Sequence, residues 1–444
     1  MARTPTAAAA RDRYLDAFRR HSPTGPSWLG HLRTRAIDAF AARGFPGPKD
    51  ESWRFTNVTP VLETAFAPAP APSRNGDPEV DRWLLVNPDS PPSRLVFVNG
   101  RPHPRLSAVS ALPPGVRCEP LSTAWLSVPE LVEPHLAQLA RYDDQPFAAL
   151  STAFLEDGAF LHVPAGVEFP GVLEVLFLTA GTDGPPITHP RLLIVLERDA
   201  RATVVETYAA TGDAGHFTNA VTEFVVSDSA RLDHCRVQRE GPGGYHIAVS
   251  QSRQGRDCRF ESCSVALGGA LARHDIGAVL DGSGSWLTLN GLTVARGQQH
   301  IDHHTVIDHA TPHCESHELF NGIFDDRARG VFTGRIIVRP GAQRTDSKQT
   351  SNNLLLSENA RADSQPQLEI YADDVKCTHG ATLGPVDDAS LFYLRSRGLD
   401  RQQARALLTY GFGVDVVGKV RHPRVRAHLD GLLVQHLPGS GPAA

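Results

Sequence analysis

The sequence predicts a mainly β protein: a solenoid of short strands in the middle, with helical regions before and after it. Three observations carry this reading. From Asp157 onward the chain becomes a series of short runs rich in β-branched and aromatic residues, such as Phe160 to Val163, Leu192 to Leu196 and Ala202 to Tyr208, broken by Gly, Pro, Asp and Asn. A small residue flanked by polar ones precedes an alternating strand at Ala200, Ala230, Cys258, Ser285, Ala328, Ala342 and Ala360; the early intervals are roughly 28 residues and the later ones irregular. No helical pattern interrupts these runs until after Pro385. Strand-turn units repeated without an intervening helix suit a stack of coils, each burying its apolar face against its neighbours. A β-sandwich is the competing reading. The domains are expected at 1–155 (mixed, mostly helical), 156–385 (the β core) and 386–444 (helical).

In chain order, residues 10–21 and 27–43 read as helices. Ser27 is placed to cap the second, whose Leu29, Leu32, Ile37 and Phe40 fall mostly along one side, and Gly44 and Pro46 end it. Trp53 and Phe55 are expected to dock this segment on a core. Residues 65–77, rich in Ala, Pro, Gly and Ser, read as a linker. Apolar runs from Leu84 to Val98 suggest strands, and residues 128–141 and 146–155 suggest helices. After Pro385 come three helical stretches. Asp387 is placed to cap the first and Gly398 to end it; Asp400 is placed to cap the second; Pro423 opens the third. The second has a broad apolar face of Ala404, Leu407, Leu408, Phe412 and Val416, and the third places Val425, Leu429, Leu432 and Leu433 together. Such a unit either caps the solenoid or receives a partner.

Bulk composition narrows the function classes. The 444 residues carry a formal net charge of −5, so there is no basic field for nucleic acid. Almost all the positive charge is Arg; the lysines are Lys49, Lys348, Lys376 and Lys419. No run approaches the ~20 apolar residues of a membrane span. Ala7 to Ala10 give way at once to Arg11 and Asp12, too short an apolar core for a secretory signal, so the expected location is cytoplasmic. The cysteines Cys118, Cys235, Cys258, Cys263, Cys314 and Cys377 form no C-x-x-C pair, which argues against a disulfide framework or a zinc-ribbon site.

The stretch with the most specific chemistry is Lys376-Cys377-Thr378-His379-Gly380, at the junction between the β tract and the helices. In a strand, residues two apart point the same way, so Cys377 and His379 project together. A soft sulfur beside an imidazole suits iron or zinc. Two ligands do not close a site that takes four, so the rest come from a partner, or the pair is structural. The density of His300, His303, His304, His309, His313 and His317, with Asp302, Asp308 and Cys314 among them, is a second metal candidate. His303, Thr305, Ile307 and His309 would share one strand face, which equally fits stacking in the solenoid or a partner interface. Asp325-Asp326 and Asp373-Asp374 raise the possibility of a β-helix enzyme acting on polysaccharide, but adjacent Asp residues commonly mark turns. Gly413 to Val420 nearly spells a P-loop. Val420 stands where the Mg²⁺-binding hydroxyl belongs, and the string lies in a helical pattern, so no ATPase activity is expected.

A wider set of residues resembles a known family. Gln365 to Gly384, running on through Leu391-Phe392-Tyr393-Leu394-Arg395 to Gly398, is similar to the SufB/SufD family of the SUF iron–sulfur cluster assembly system. The resemblance continues upstream through Asp302-His303-His304-Thr305, Glu318-Leu319-Phe320 and Gly330 to Gly334, and more loosely at Asp50 to Thr56. The SufB branch carries a Glu-His-Glu type segment where this chain has Cys377-Thr378-His379, which favours the SufD branch. The resemblance implies a right-handed parallel β-helix core. It implies a non-catalytic subunit that pairs with a SufB-like scaffold, which holds the acceptor cysteine, and engages a SufC-like ATPase; a homodimer is the alternative for the isolated chain. It implies that His379, with Cys377 as a helper, meets a transient iron–sulfur cluster or iron at the subunit interface. No residue assigns a flavin site. The remaining alternatives are the polysaccharide-active enzyme and a purely structural β-helix in which Cys377 and His379 are core residues.

Overall fold

The small residues that recur along the sequence are the corners of a stack of coils. In the computed structural model, which describes residues 7–21, 24–47, 49–70, 78–84, 93–109, 111–180 and 184–437, Asp199, Ser229, Asp257 and His313 adopt left-handed φ values of 61°, 57°, 53° and 62°. Each is followed by a buried small side chain, Ala200, Ala230, Cys258 or Cys314. The next residue starts a strand: Arg201, Arg231, Arg259 or Glu315. Gly284 and Ser285 do the same before Trp286. Turning the chain sharply inside a packed stack requires a left-handed residue and leaves no room for a large side chain beside it. Ala328 and Ala360 belong to the opposite corner and precede strands of the other sheet. Two kinds of corner are therefore mixed in the recurrence, which is why its later intervals look irregular, and Cys314 and Thr345, the latter following Arg344 at φ 59°, are members of the first series that the sequence pattern does not single out.

The coils form two facing parallel sheets. One runs through Gly158–Val163, Arg191–Leu196, His216–Val226, Gly244–Gln254, Leu271–Leu280, His300–His309, Arg329–Val338 and Arg361–Ile370. The other runs through Glu168–Thr179, Arg201–Ala210, Arg231–Arg239, Arg259–Ala266, Trp286–Ala295, Glu315–Phe324, Asp346–Leu355 and Lys376–Gly384. This is the two-sheet β-solenoid, and alternation along each strand gives it an inner and an outer face. Leu232, Phe260 and Leu287 stack on the inner face of the second sheet, opposite Phe224 and Leu280 of the first. Strands from the N-terminal region join both sheets: Ser93–Val98 pairs in parallel with Glu168–Thr179, and Arg117–Pro120 pairs antiparallel with Gly158–Val163.

Helices cover the outer faces. Ala7–Arg20 and Ser27–Arg43 form near the expected spans, but Pro26, not Ser27, is the N-cap, and Ser27 is the first helical residue. The first sheet's outer face is covered by Phe40, Trp53 and Phe147, packed with Phe217, Ile247 and Leu271. Phe55 is only half-buried. The helix expected over 128–141 shortens to Pro129–Val132. The reason is a buried carboxylate: Glu223 accepts hydrogen bonds from the backbone N–H groups of Ala137, Leu139 and Ala140, and Arg191 pairs with it. That anchor holds Ala137 at φ 58° and turns the chain out of the helix. Of the expected linker, Ala67–Pro68 pairs with Pro186 and Ile187, while residues 71–77 lie outside the described residues; so do 85–92 of the stretch from Leu84 to Val98.

The C-terminal helices are Asp388–Ser396, Arg401–Val417 and Pro423–His436. Asp387 caps the first, and Asp400 with Gln403 forms a capping box on the second. They lie along the flank of the second sheet. Val416, Val425, Leu429 and Leu433 pack with Val205, Cys235, Cys263, Val265 and Leu292 of its outer face. They therefore do not close the end of the stack.

Candidate functional site at the open end of the stack

Among the described residues no coil follows the last one: strand Arg361–Ile370 pairs only with Arg329–Val338, and strand Lys376–Gly384 only with Asp346–Leu355, so each sheet ends in an unpaired parallel edge. Exposed apolar side chains mark this end: Ile370 is 40% exposed, Tyr371 61% and Leu383 58%. Free edges flanked by apolar surface are templates for another strand.

Cys377 and His379 are on that last strand. Cys377 pairs with Ser347 and His379 with Gln349, two residues of the buried inner face. Both therefore point to the inner side, at a level where no further coil encloses them. Cys377 is half-buried against Ile336, Val338, Ala342 and Ala372. Burial, and then the nearby Asp346, raises its thiol pKa, so the thiol stays protonated in the isolated chain. His379 is exposed. Gly380 leaves open space: a Cβ there would meet nothing. Among the described residues no three His, Cys, Asp or Glu side chains gather as a metal site. A four-coordinate metal at this end would draw further ligands from outside the chain.

Beneath His379 lies a column of inner-face residues: Glu318, named above only as part of the family resemblance, and Gln349, which the sequence does not single out. Glu318 pairs with Gln349 in register, and Gln349 with His379. Gln349 Nε2 donates to Glu318 Oε2 at 2.6 Å, and both side chains are buried. Burial pushes the Glu318 carboxyl up to about 7, held back in part by the hydrogen bond from Gln349 and by the nearby Thr305 hydroxyl. The only sequence signal for this column is spacing, one coil of about thirty residues from each member to the next.

The histidine-rich segment is distributed by the same alternation. His303 and His309 face inward. His303 packs between the rings of His274, at 6.2 Å, and Phe320, at 5.3 Å, and His309 shares a 2.9 Å hydrogen bond with Ser316. Burial lowers both to about 4, so both are neutral core histidines. His304 faces outward beside Asp275, and His313 is a corner residue. Asp302 is buried on the outer face, where it takes hydrogen bonds from Arg273 at 2.6 Å and from Thr56 at 2.5 Å. Arg273 also lies 4.0 Å over the Trp53 ring. The segments Asp50 to Thr56 and Asp302 to Thr305 thus meet each other and fasten the N-terminal region to the solenoid. The Asp pairs are corners: Asp325 and Asp326 accept backbone N–H groups, and Asp374 lies beside Arg344. Gly413 to Val417 is helix, and Lys419 pairs with Asp415.

Comparison with known proteins is consistent along nearly the whole chain. Residues 177–412 match the model of the SUF system FeS cluster assembly SufBD core domain, and residues 10–175 that of the SufBD protein N-terminal region. The chain is 32% identical over 426 residues to an iron–sulfur cluster assembly SufBD family protein of Synechocystis, covering 92% of each. It is 32% identical to the iron–sulfur cluster assembly protein SufD of Escherichia coli, over 89% of this chain and 90% of that one. With SufD of Bacillus subtilis it shares 27% over 94% of this chain and 95% of the other. A two-sheet solenoid with a covered flank at either side, matched by family models from residue 10 to 412, makes this chain a member of the SufBD family of the SUF iron–sulfur cluster assembly system.

Proposed function

We propose that this chain is the SufD-type subunit of a cytoplasmic complex that builds and transfers iron–sulfur clusters, that it pairs end to end with a SufB-like scaffold, and that His379, helped by Cys377, faces the nascent cluster at that junction. One observation carries the reading. The two candidate ligands sit together on the inner side of a terminal strand whose edge is unpaired and flanked by exposed Ile370, Tyr371 and Leu383. A partner that continues both sheets would cover the apolar surface, satisfy the edges and enclose His379 and Cys377 with its own ligands. The raised Cys377 thiol suits a helper whose proton leaves only when metal arrives. In this reading the subunit is non-catalytic and supplies ligands to a site shared with its partner.

The SufC-like ATPase is assigned to the C-terminal helices. Most of their apolar surface is spent on the solenoid flank, but Phe392 at 73% and Tyr393 at 57% exposed stand out on Asp388–Ser396. A helix presenting two adjacent aromatics to solvent is a docking feature. Because deletion of 386–444 would uncover Val205, Cys235 and Leu292, the cleaner test is Phe392→Glu with Tyr393→Glu. Loss of ATPase co-purification with an unchanged melting temperature supports the assignment, and retained binding refutes it. For the junction, the test is reconstitution with both partners. His379→Ala is expected to abolish cluster formation, followed by absorbance and iron content, while the complex still assembles. Clusters forming at the wild-type rate would refute the role of His379.

A further inference from the structure

Three facts about the column beneath His379 call for one explanation. Gln349 is fully buried, its amide nitrogen is committed to Glu318, and its amide oxygen Oε1 has no hydrogen-bonding partner. The glycine across the interior is fitted to that amide: a Cβ on Gly334 would lie 2.3 Å from Gln349 Nε2 and 2.9 Å from Oε1. The residue one rung further out, in register with Gln349, is His379. Rungs of a parallel sheet are about 4.8 Å apart, within reach of a side-chain hydrogen bond along the column. A buried carbonyl oxygen without a donor is costly, and the next residue outward in the same column carries an imidazole that can supply one.

We propose that Gln349 is the positioning residue of the His379 site: its Oε1 accepts one ring N–H of His379 once the end of the stack is covered, and Glu318 holds the amide in the orientation that makes this possible. The inference rests on His379 being a ligand at the cluster-assembly site. Its chemistry is that of an outer-shell partner, which fixes the tautomer of a ligating histidine and leaves the other ring nitrogen free to face the metal. The column is polar by construction. The acceptor end is Glu318, whose polar neighbours are Gln349 and Thr305, and whose inward neighbour in register is the apolar Leu289. While Gln349 Nε2 donates to Glu318 Oε2, the amide oxygen is what remains for His379, and donation runs from imidazole to amide to carboxyl. Gly334 serves the same arrangement from the facing sheet, by leaving room for the amide.

The test uses the full chain in complex with its SufB-like partner, with ring nitrogens observed by NMR after ¹⁵N-histidine labelling and His379 assigned by its loss in His379→Ala. Wild type is expected to show one dominant neutral tautomer at His379. Gln349→Leu removes the acceptor and is expected to leave the two tautomers mixed. With Co²⁺ as the probe metal, Gln349→Leu is expected to weaken binding at His379 about 10- to 100-fold. An unchanged His379 ring spectrum in Gln349→Leu overturns the proposal. Should that variant not fold, Gly334→Ala, which displaces the amide, takes its place, and an unchanged ring spectrum there has the same force. The outcome separates from the parent reading. If His379→Ala builds clusters normally, the cluster role falls whatever the tautomer shows; if His379 is essential and its tautomer ignores Gln349, only this inference falls.

Discussion

His303 and His379 both lie on the inner face of a strand, yet they have opposite fates. His303 has coils above and below it, is fully enclosed between His274 and Phe320, and is lowered to about 4. His379 has a coil on one side only and is exposed. The two positions do not differ in residue type, strand direction or side of the sheet. They differ in whether a next coil exists. In a solenoid the interior is made by neighbours, so the same inward-pointing histidine is core in the middle of the stack and an exposed side chain at its end. Histidine density, which drew attention to residues 300–317, therefore says nothing about which of the rings are enclosed, whereas position along the stack does.

The comparison is sharpened first by core packing. Phe320 touches both His303 and Phe332 and is 5% exposed. Phe320→Ala is expected to cost about 3–5 kcal/mol, read from urea unfolding. A cost below about 1 kcal/mol would mean that the middle of the stack is looser than its burial implies.

Acid probes the enclosed histidine. His303 falls from the ordinary 6.5 to about 4 in the folded chain. The unfolded state therefore binds the proton more readily. The stability from keeping this ring neutral is present above pH 6.5 and is lost as pH falls through 6.5 toward 4, by up to about 3 kcal/mol. His303→Leu is expected to flatten stability against pH across that window. A wild-type slope in His303→Leu would break the contrast.

Glu318 gives the opposite sign. Its carboxyl rises from 4.5 to about 7 on folding. Stability is fully present below pH 4.5 and is lost as pH rises through 7, because ionisation then costs more in the buried site than in the unfolded chain. Glu318→Gln is expected to raise stability at pH 8 by on the order of 2 kcal/mol and to have little effect at pH 4.5. Destabilisation at pH 8 would show that the carboxylate is needed ionised.

The smallest expected effect on stability is at His379 itself. Its replacement by Ala is expected to change unfolding free energy by less than about 0.5 kcal/mol, as for an exposed site. A loss comparable to that at Phe320 would make His379 a core residue and remove the contrast.

Much of the fold was legible because its signals are local. Asp387, Asp400 and Pro423 start helices through bonds or geometry within one turn, and Ala200, Ala230 and Cys258 mark corners because the turn itself admits no large side chain. Local patterning also put Cys377 and His379 on one side of a strand, since alternation is a property of the extended backbone. Other features depended on partners distant in sequence. The helix expected over 128–141 gave way to a turn because Glu223, far along the chain, takes the N–H groups of Ala137, Leu139 and Ala140. The C-terminal helices read equally well as an end cap or a docking unit; their burial against Val205 and Leu292 set them on the flank and left the end free. The column Glu318, Gln349, His379 was invisible for the same reason. Its members are a coil apart in sequence and adjacent only once parallel register stacks them. The sequence determined which residues could turn, cap and alternate. Only the stacking of coils decided which inward-facing side chains were enclosed and which were left at the open end, because enclosure is supplied by the neighbouring coil and not by the residue itself.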